Sequence, residues 1–279
     1  MFSKKGEFRD GIYLLNHPEV PVYLIRGKKN YLIDAAFTFM APNIVGELEE
    51  LGVEPHYLLL THSHYDHIGA TPFIRKNFPE IKVVASRRTA EILAKPKAIE
   101  LIKSLEKEAE RSFGEVSDLE FQPFKIDIIV GEGDEIEEFS VLETPGHTRC
   151  SVSFVFPEKK IIFVGDAAGV IEEGHIRPQF LSSYDQYVAS LQKILKYGDF
   201  SLALGHGGII PEGREFLENS LKKTEEFRKE ILEYYEKFGD MEKVARKIYR
   251  EEYEGLGLKQ PKEAYMINLR AMIKSALNS

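Results

Sequence analysis

The sequence predicts an α/β fold: a core of short strands and helices to about residue 210, followed by a helical extension over 211–279. Three observations lead there. Short apolar runs rich in β-branched residues alternate with segments of helical spacing through the first two thirds of the chain. Several of those runs stop at a glycine or a polar loop carrying histidine or aspartate. From Pro211 onward the composition becomes rich in Glu and Lys, and apolar residues recur at helical spacing from Phe216 to Tyr235. A chain of 279 residues accommodates one large domain, or one domain with a modest appendage.

The elements follow in order. Residues 12–15, 21–26 and 31–33 read as strands separated by turns of Gly, Lys and Asn. In residues 42–51 the helical face carries Ile44, Val45, Leu48 and Leu51. Residues 57–60 form a short apolar strand that runs at once into a polar loop, a usual way to mount functional groups on a rigid support. Thr71–Asn77 reads as helix and residues 82–85 as strand. Residues 87–113 read as helix in two pieces, since Pro96 breaks the first. Residues 125–130, 135–143, 150–156 and 160–164 return to strand, with the GEGD turn at 131–134 predicted to close a hairpin between the first two. A helix over 187–197, a strand over 202–204 and, past 211, helices ending with 241–251 and 263–277 complete the chain, the last two flanking the glycine-containing segment 254–261.

Composition narrows the function. Hydrophobic residues make up 43% and charged residues 29%, an ordinary globular balance. A net charge of −8 argues against nonspecific binding to nucleic acid or anionic membrane. The single cysteine, Cys150, excludes an intrachain disulfide and fits a reducing cytoplasm. The charged N-terminus leads into no apolar signal region, and no stretch approaches the ~18 apolar residues of a membrane span.

The chemistry concentrates in Thr61-His62-Ser63-His64-Tyr65-Asp66-His67. Residues two apart in extended chain point to the same side, so His62 and His64 can chelate one ion. Asp66 and His67 follow after the chain turns and can address a second ion nearby. Imidazole and carboxylate suit Zn, Mn or Fe. Three further fragments repeat the design of an apolar run ending in glycine beside a ligand-type residue: Pro145-Gly146-His147, Val164-Gly165-Asp166 and Leu204-Gly205-His206. Glycine lets the backbone turn sharply there. No serine or cysteine sits in the glycine-framed context of an activated nucleophile.

The run His62, His64, Asp66, His67, followed in order by His147, Asp166 and His206, resembles the metallo-β-lactamase superfamily over about residues 12–210. Leu32, Ile33 and Asp34, and Ser190 and Leu191, are similar to that family as well. The set with His67 and without a cysteine ligand looks most like the glyoxalase II, lactonase and phosphodiesterase branches. The resemblance implies a four-layer αββα metallo-β-lactamase sandwich with a helical C-terminal appendage, and a centre of two divalent metal ions at one edge of the facing sheets, with zinc the first candidate and Mn or Fe alternatives. His62, His64 and His147 would hold one ion, Asp66, His67 and His206 the other, and Asp166 would bridge them, with Asp66 also taking part in catalysis. Five neutral imidazoles and two carboxylates leave such a centre net positive, suited to an anionic transition state. A hydroxide between the ions would then cleave an ester-like bond (thioester, lactone or phosphodiester) in a small-molecule substrate, one that can itself be anionic.

The alternative is a mononuclear-iron persulfide dioxygenase-like oxidoreductase. Flavo-diiron relatives need a further domain and place Glu where His64 stands; RNA-processing relatives carry arms or domains not seen here. Of the remaining candidates, Asp34 reads equally as a turn residue or as a partner that orients the ligand loop. Tyr65 and Cys150 read as packing residues; His17, His56 and His175 as structural or surface; Arg149 and Arg177 as surface ion-pairing residues.

Overall fold

The computed structural model describes residues 1–17, 19–172, 174–256, 258 and 262–279. Two β-sheets face each other and helices cover both outer faces. The first sheet runs β1 (Gly6–Arg9), β2 (Ile12–His17), β3 (Val20–Arg26), β4 (Asn30–Ile33), β5 (Tyr57–Leu59), β6 (Lys82–Ser86) and β7 (Ile128–Val130), in that spatial order. Its first four strands pair antiparallel as a meander; β4 to β7 pair parallel through helical crossovers. The helices on its outer face are α1 (Ala41–Glu50), α2 (Tyr65–Ile68), α3 (Thr71–Asn77), α4 (Arg87–Leu93) and α5 (Pro96–Ser112).

The second sheet contains β8 (Glu135–Ile136), β9 (Phe139–Glu143), β10 (Val152–Phe156) and β11 (Ile161–Gly165). A separate small hairpin follows, β12 (Val170–Glu172) with β13 (His175–Arg177), then α6 (Tyr184–Leu195), β14 (Ser201–Leu204) and β15 (Ile209–Ile210). The spatial order of the second sheet is β15-β14-β11-β10-β9-β8. The chain closes with α7 (Gly213–Phe238), α8 (Met241–Ile248), a π-helical turn at Tyr249–Glu254 and α9 (Lys262–Leu277).

Strand alternation produces the layers. In β3, Tyr23 and Ile25 enter the core between the sheets, while Val22 and Leu24 face α1 to α5. In β11, Ile161 and Phe163 face inward, and Ile162 and Val164 pack under the other helices. The outer helices bury matching stripes: Ile44, Val45 and Leu48 in α1, and Phe216, Leu217, Phe227 and Ile231 in α7. One apolar cluster joins α6, the outer face of β11 and β14, and α7 to α9, so the C-terminal helices bury their stripe on the second sheet's own layer. The result is the αββα sandwich. Among the described residues no helix is long and apolar enough to cross a membrane.

Three local expectations are corrected. Residues 131–134 do not close a hairpin: β7 belongs to the first sheet and β8 to the second, so this turn carries the chain across the sandwich. Asp134 holds it by accepting from the Gly131 N–H at 2.8 Å. The strand expected over 135–143 is itself a hairpin, with Ile136 paired to Phe139 and Glu137 at φ 51°; two glutamates make that turn, without the glycine that would have marked it. Cys150, expected to open a strand, lies buried in the loop before β10. Pro96 does end α4 and stands at the start of α5, where its missing N–H costs nothing. Of the segment 254–261, residues 257 and 259–261 lie outside the described residues.

Candidate metal centre

The seven residues singled out by the motifs meet at one edge of the sandwich. His62, His64, Asp66 and His67 follow β5; His147 follows β9; Asp166 follows β11; His206 follows β14. Ligand atoms of His62, His64, His147 and Asp166 lie within 4.8 Å of one another, and so do those of Asp66, His67 and His206. The carboxylate of Asp166 stands between the groups: Oδ2 is 3.3 Å from His147 Nε2 and 3.6 Å from His206 Nε2, while Oδ1 is 3.7 Å from His67 Nε2. Asp66 Oδ2 lies 3.3 Å from His206 Nε2.

The backbone explains how four strands deliver side chains so closely. The Val152 N–H donates to the Thr61 carbonyl at 2.8 Å, joining the sheets beside the first motif. Gly165 adopts φ +51° against the Thr61 side chain. A Cβ on Gly205 would stand 2.1 Å from Asp166 Oδ1 and 2.8 Å from His67 Cε1, so only glycine lets this strand end pass beneath the carboxylate. Ser190 Oγ donates to the Pro145 carbonyl at 2.7 Å and fixes the loop bearing His147 to α6.

The imidazoles are oriented from outside. His147 Nδ1 donates to the Gln179 carbonyl at 2.9 Å, His67 Nδ1 to Asp34 Oδ2 at 2.9 Å, and His206 Nδ1 to the Glu19 carbonyl. His62 Nδ1 lies 3.0 Å from Thr61 Oγ1, which spends its own proton on Asp34 Oδ2 and therefore accepts. Four rings thus use Nδ1 outward and turn Nε2 inward, the arrangement in which an imidazole serves as a metal ligand. His64 turns Nδ1 inward, 3.1 Å from His147 Nε2. Buried His62 Nε2, His67 Nε2 and Asp166 Oδ1 find no hydrogen-bond partner among the described residues. Buried polar atoms without partners are costly, and three converging on one point are what a cation would satisfy.

Electrostatics divides the rings. Burial pushes His62 and His64 well down, His64 to about 3, and lowers His147, so these three are neutral donors at physiological pH. Burial opposes charge on His67 and His206 too, but Asp66 and Asp166, with Asp34 beside His67, outweigh it: His67 rises to about 9 and His206 well above its usual value. Desolvation likewise resists ionisation of Asp66 and Asp166, yet His67 and His206 hold both carboxyls below the usual range. The carboxylates thus draw positive charge to the Asp66–His67–His206 side.

Asp34 orients rather than merely turns: it accepts from the Thr61 N–H and Oγ1, both at 2.8 Å, as well as from His67. It holds the left-handed φ of 57°, which short polar residues tolerate best. Arg177 corrects the surface reading: it is 4% exposed, pairs with Glu172 at 2.7 Å and packs over the Tyr265 ring. Gln179 acts through its backbone carbonyl, which no side-chain motif can announce. Cys150 packs, its Sγ 3.3 Å from Ser63 Oγ, and Arg149 stays exposed. His56 takes the structural role expected of it, accepting from the Asn30 N–H.

The chain is similar to several known proteins. Hydroxyacylglutathione hydrolase GloC of Haemophilus influenzae is 30% identical over 181 residues, 63% of this chain and 79% of that protein. The metallo-beta-lactamase fold-containing protein ST1585 of Sulfurisphaera tokodaii is 28% identical over 225 residues, 75% of this chain and 81% of that protein. In fold, the metallo-beta-lactamase family protein TTHA1429 of Thermus thermophilus superposes with a TM-score of 0.66 at 20% identity, covering 94% of this chain and 91% of that one. Residues 18–206 match the family model of the metallo-beta-lactamase superfamily. That span takes in all seven converging residues, and the chain belongs to the metallo-β-lactamase superfamily, a family of metallohydrolases.

Proposed function

We propose that this protein holds two divalent metal ions and hydrolyses an ester-like bond in a small molecule: a thioester, a lactone or a phosphodiester. The observation that carries the reading is the inward convergence of four Nε2 atoms and His64 Nδ1 on two carboxylates, with the outer nitrogens of four rings already engaged. His62, His64 and His147 would hold one ion and Asp66, His67 and His206 the other, with Asp166 between. Zinc is the first candidate; Mn and Fe suit the same donors. Bound there, such ions lower the pKa of water to near neutrality and polarise a carbonyl or phosphoryl oxygen.

The chain's own residues supply orientation and access. Asp34 and Thr61 hold the rings of His67 and His62, and the Gln179 carbonyl holds His147. His64, Asp66 and His206 are half-exposed while His62, His67, His147 and Asp166 are buried, so substrate reaches the centre past the first three. The closed core behind excludes water from the other side. Ser63 and Cys150, engaged with each other, are not needed as nucleophiles. The relative named for hydrolysis of hydroxyacylglutathione, an acyl group carried on a thiol, supports the thioester member of the three.

The test is elemental analysis of metal-saturated protein, followed by turnover assays with the three bond classes. Two ions per chain and hydrolysis of one class are expected. Full activity with one ion or none would overturn the dinuclear reading. Asp166→Asn should weaken both sites and lower turnover by orders of magnitude; both ions retained with near-normal turnover would remove Asp166 from its bridging place.

A further inference from the structure

The mouth of the centre continues into an aromatic wall that the proposed chemistry does not use. Tyr65 sits between His64 and Asp66, two of the half-exposed residues of the mouth. Its ring centroid is 5.6 Å from that of Phe37, in the loop after β4. Phe39 stacks on Phe37 at 5.1 Å. Phe113, at the C-terminal end of α5, meets Phe37 at 5.5 Å and Phe39 at 5.7 Å. Phe37 is only 5% exposed and anchors the group, whereas Phe113 is 39% exposed. Three separate segments therefore converge to carry apolar surface outward from the ligand loop. Tyr65 and Phe39, both half-buried, and Phe113 thus stand around the buried Phe37, and part-exposed apolar rings grouped beside a polar centre suit an apolar ligand group. The Tyr65 hydroxyl has no hydrogen-bond partner among the described residues, and Lys103 and Lys107, which line the cavity beside Phe39, are both paired with Glu120.

We propose that this wall receives the apolar acyl part of the substrate, so that the protein acts on esters or thioesters of medium-chain or aromatic carboxylic acids in preference to phosphodiesters. The inference rests on the hydrolase reading above and names its substrate class. Its basis is adjacency: the ring group begins at a residue inside the His62–His67 loop, so an acyl chain whose carbonyl reaches the centre lies over the part-exposed rings of Tyr65, Phe39 and Phe113, with Phe37 beneath them. A phosphodiester with polar substituents leaves the same rings in water.

Zinc-loaded protein carrying the whole 279-residue chain, assayed with acetyl, butanoyl, hexanoyl and octanoyl thioesters of one thiol, tests it. Burying a methylene against such a wall raises kcat/KM about twofold to fourfold, and the series should climb accordingly. In Phe113→Ala the increment per methylene should shrink towards unity, and in Phe113→Leu, which keeps apolar volume, most of it should return. Thermal unfolding confirms that both variants fold, as expected for a partly exposed ring. Turnover that is flat along the series, or a slope unchanged in Phe113→Ala, overturns this inference and leaves the hydrolase reading intact. Hydrolysis of a phosphodiester alone overturns it too. No turnover of any ester, thioester or phosphodiester by protein carrying both ions overturns the hydrolase reading with it.

Discussion

Gly205→Ala probes the candidate centre without replacing any of its seven converging residues. The new methyl would stand 2.1 Å from Asp166 Oδ1, 2.8 Å from His67 Cε1 and 3.0 Å from the Gly165 carbonyl carbon, closer than Cβ atoms are found to such neighbours. The backbone cannot retreat freely, since the Gly205 N–H donates to the Gly165 carbonyl at 2.8 Å. The carboxylate of Asp166 must therefore move by about 1 Å, and metal sites accept ligand displacements of only about 0.2 Å. We expect affinity for divalent ions to fall about 10- to 100-fold, the range seen when the supports of metal ligands are lost. Turnover at limiting metal should fall in parallel. Competition titration with a zinc chelator reads the affinity, and circular dichroism checks that the sheets persist. Wild-type affinity for two ions in Gly205→Ala would show that Asp166 is not held where these contacts put it, and would refute the argument.

Two further outcomes follow from packing and charge. Burial raises the Glu106 carboxyl from the usual 4.5 to about 8, although the Thr38 N–H donates to it. The folded state then binds more protons than the unfolded state between those values, so stability falls as pH rises through that window, by at most about 1.4 kcal/mol per unit; Glu106→Gln should abolish this slope, and parallel denaturation curves for both proteins at about pH 5 and pH 8.5 would disprove it. Truncation after residue 210 removes buried Phe216, Leu217, Phe227 and Ile231, each worth about 1.5–3 kcal/mol, and strips Ser220, which donates to the Ala168 carbonyl two residues past Asp166. The shortened chain should aggregate or unfold, and soluble, fully active protein ending there would show that the helices are dispensable.

Residue order alone sets the donors and the local elements. His62, His64, Asp66 and His67 lie within six residues, and the apolar periodicities of the strands and of α7 are properties of the chain before it folds. Glycines 146, 165 and 205 likewise announce close approach beside a candidate ligand, and at each a Cβ would clash. Folding settles whatever depends on residues distant in the chain. Whether Asp34 is a turn residue or a partner of His67 turns on a contact spanning 33 positions. The carbonyls of Gln179 and Glu19 become orienting groups through their places in space, since every residue has a carbonyl. Arg177 reads as a surface residue until the hairpin of β12 and β13 folds against Glu252 and Tyr265. Residues 131–134 have the composition of a hairpin, and which sheet accepts the strand beyond them is settled by pairing with β9. Periodicity and turn chemistry act over a few residues and can be read locally. Burial, pairing partner and electrostatic environment are sums over neighbours that exist only once the chain has closed.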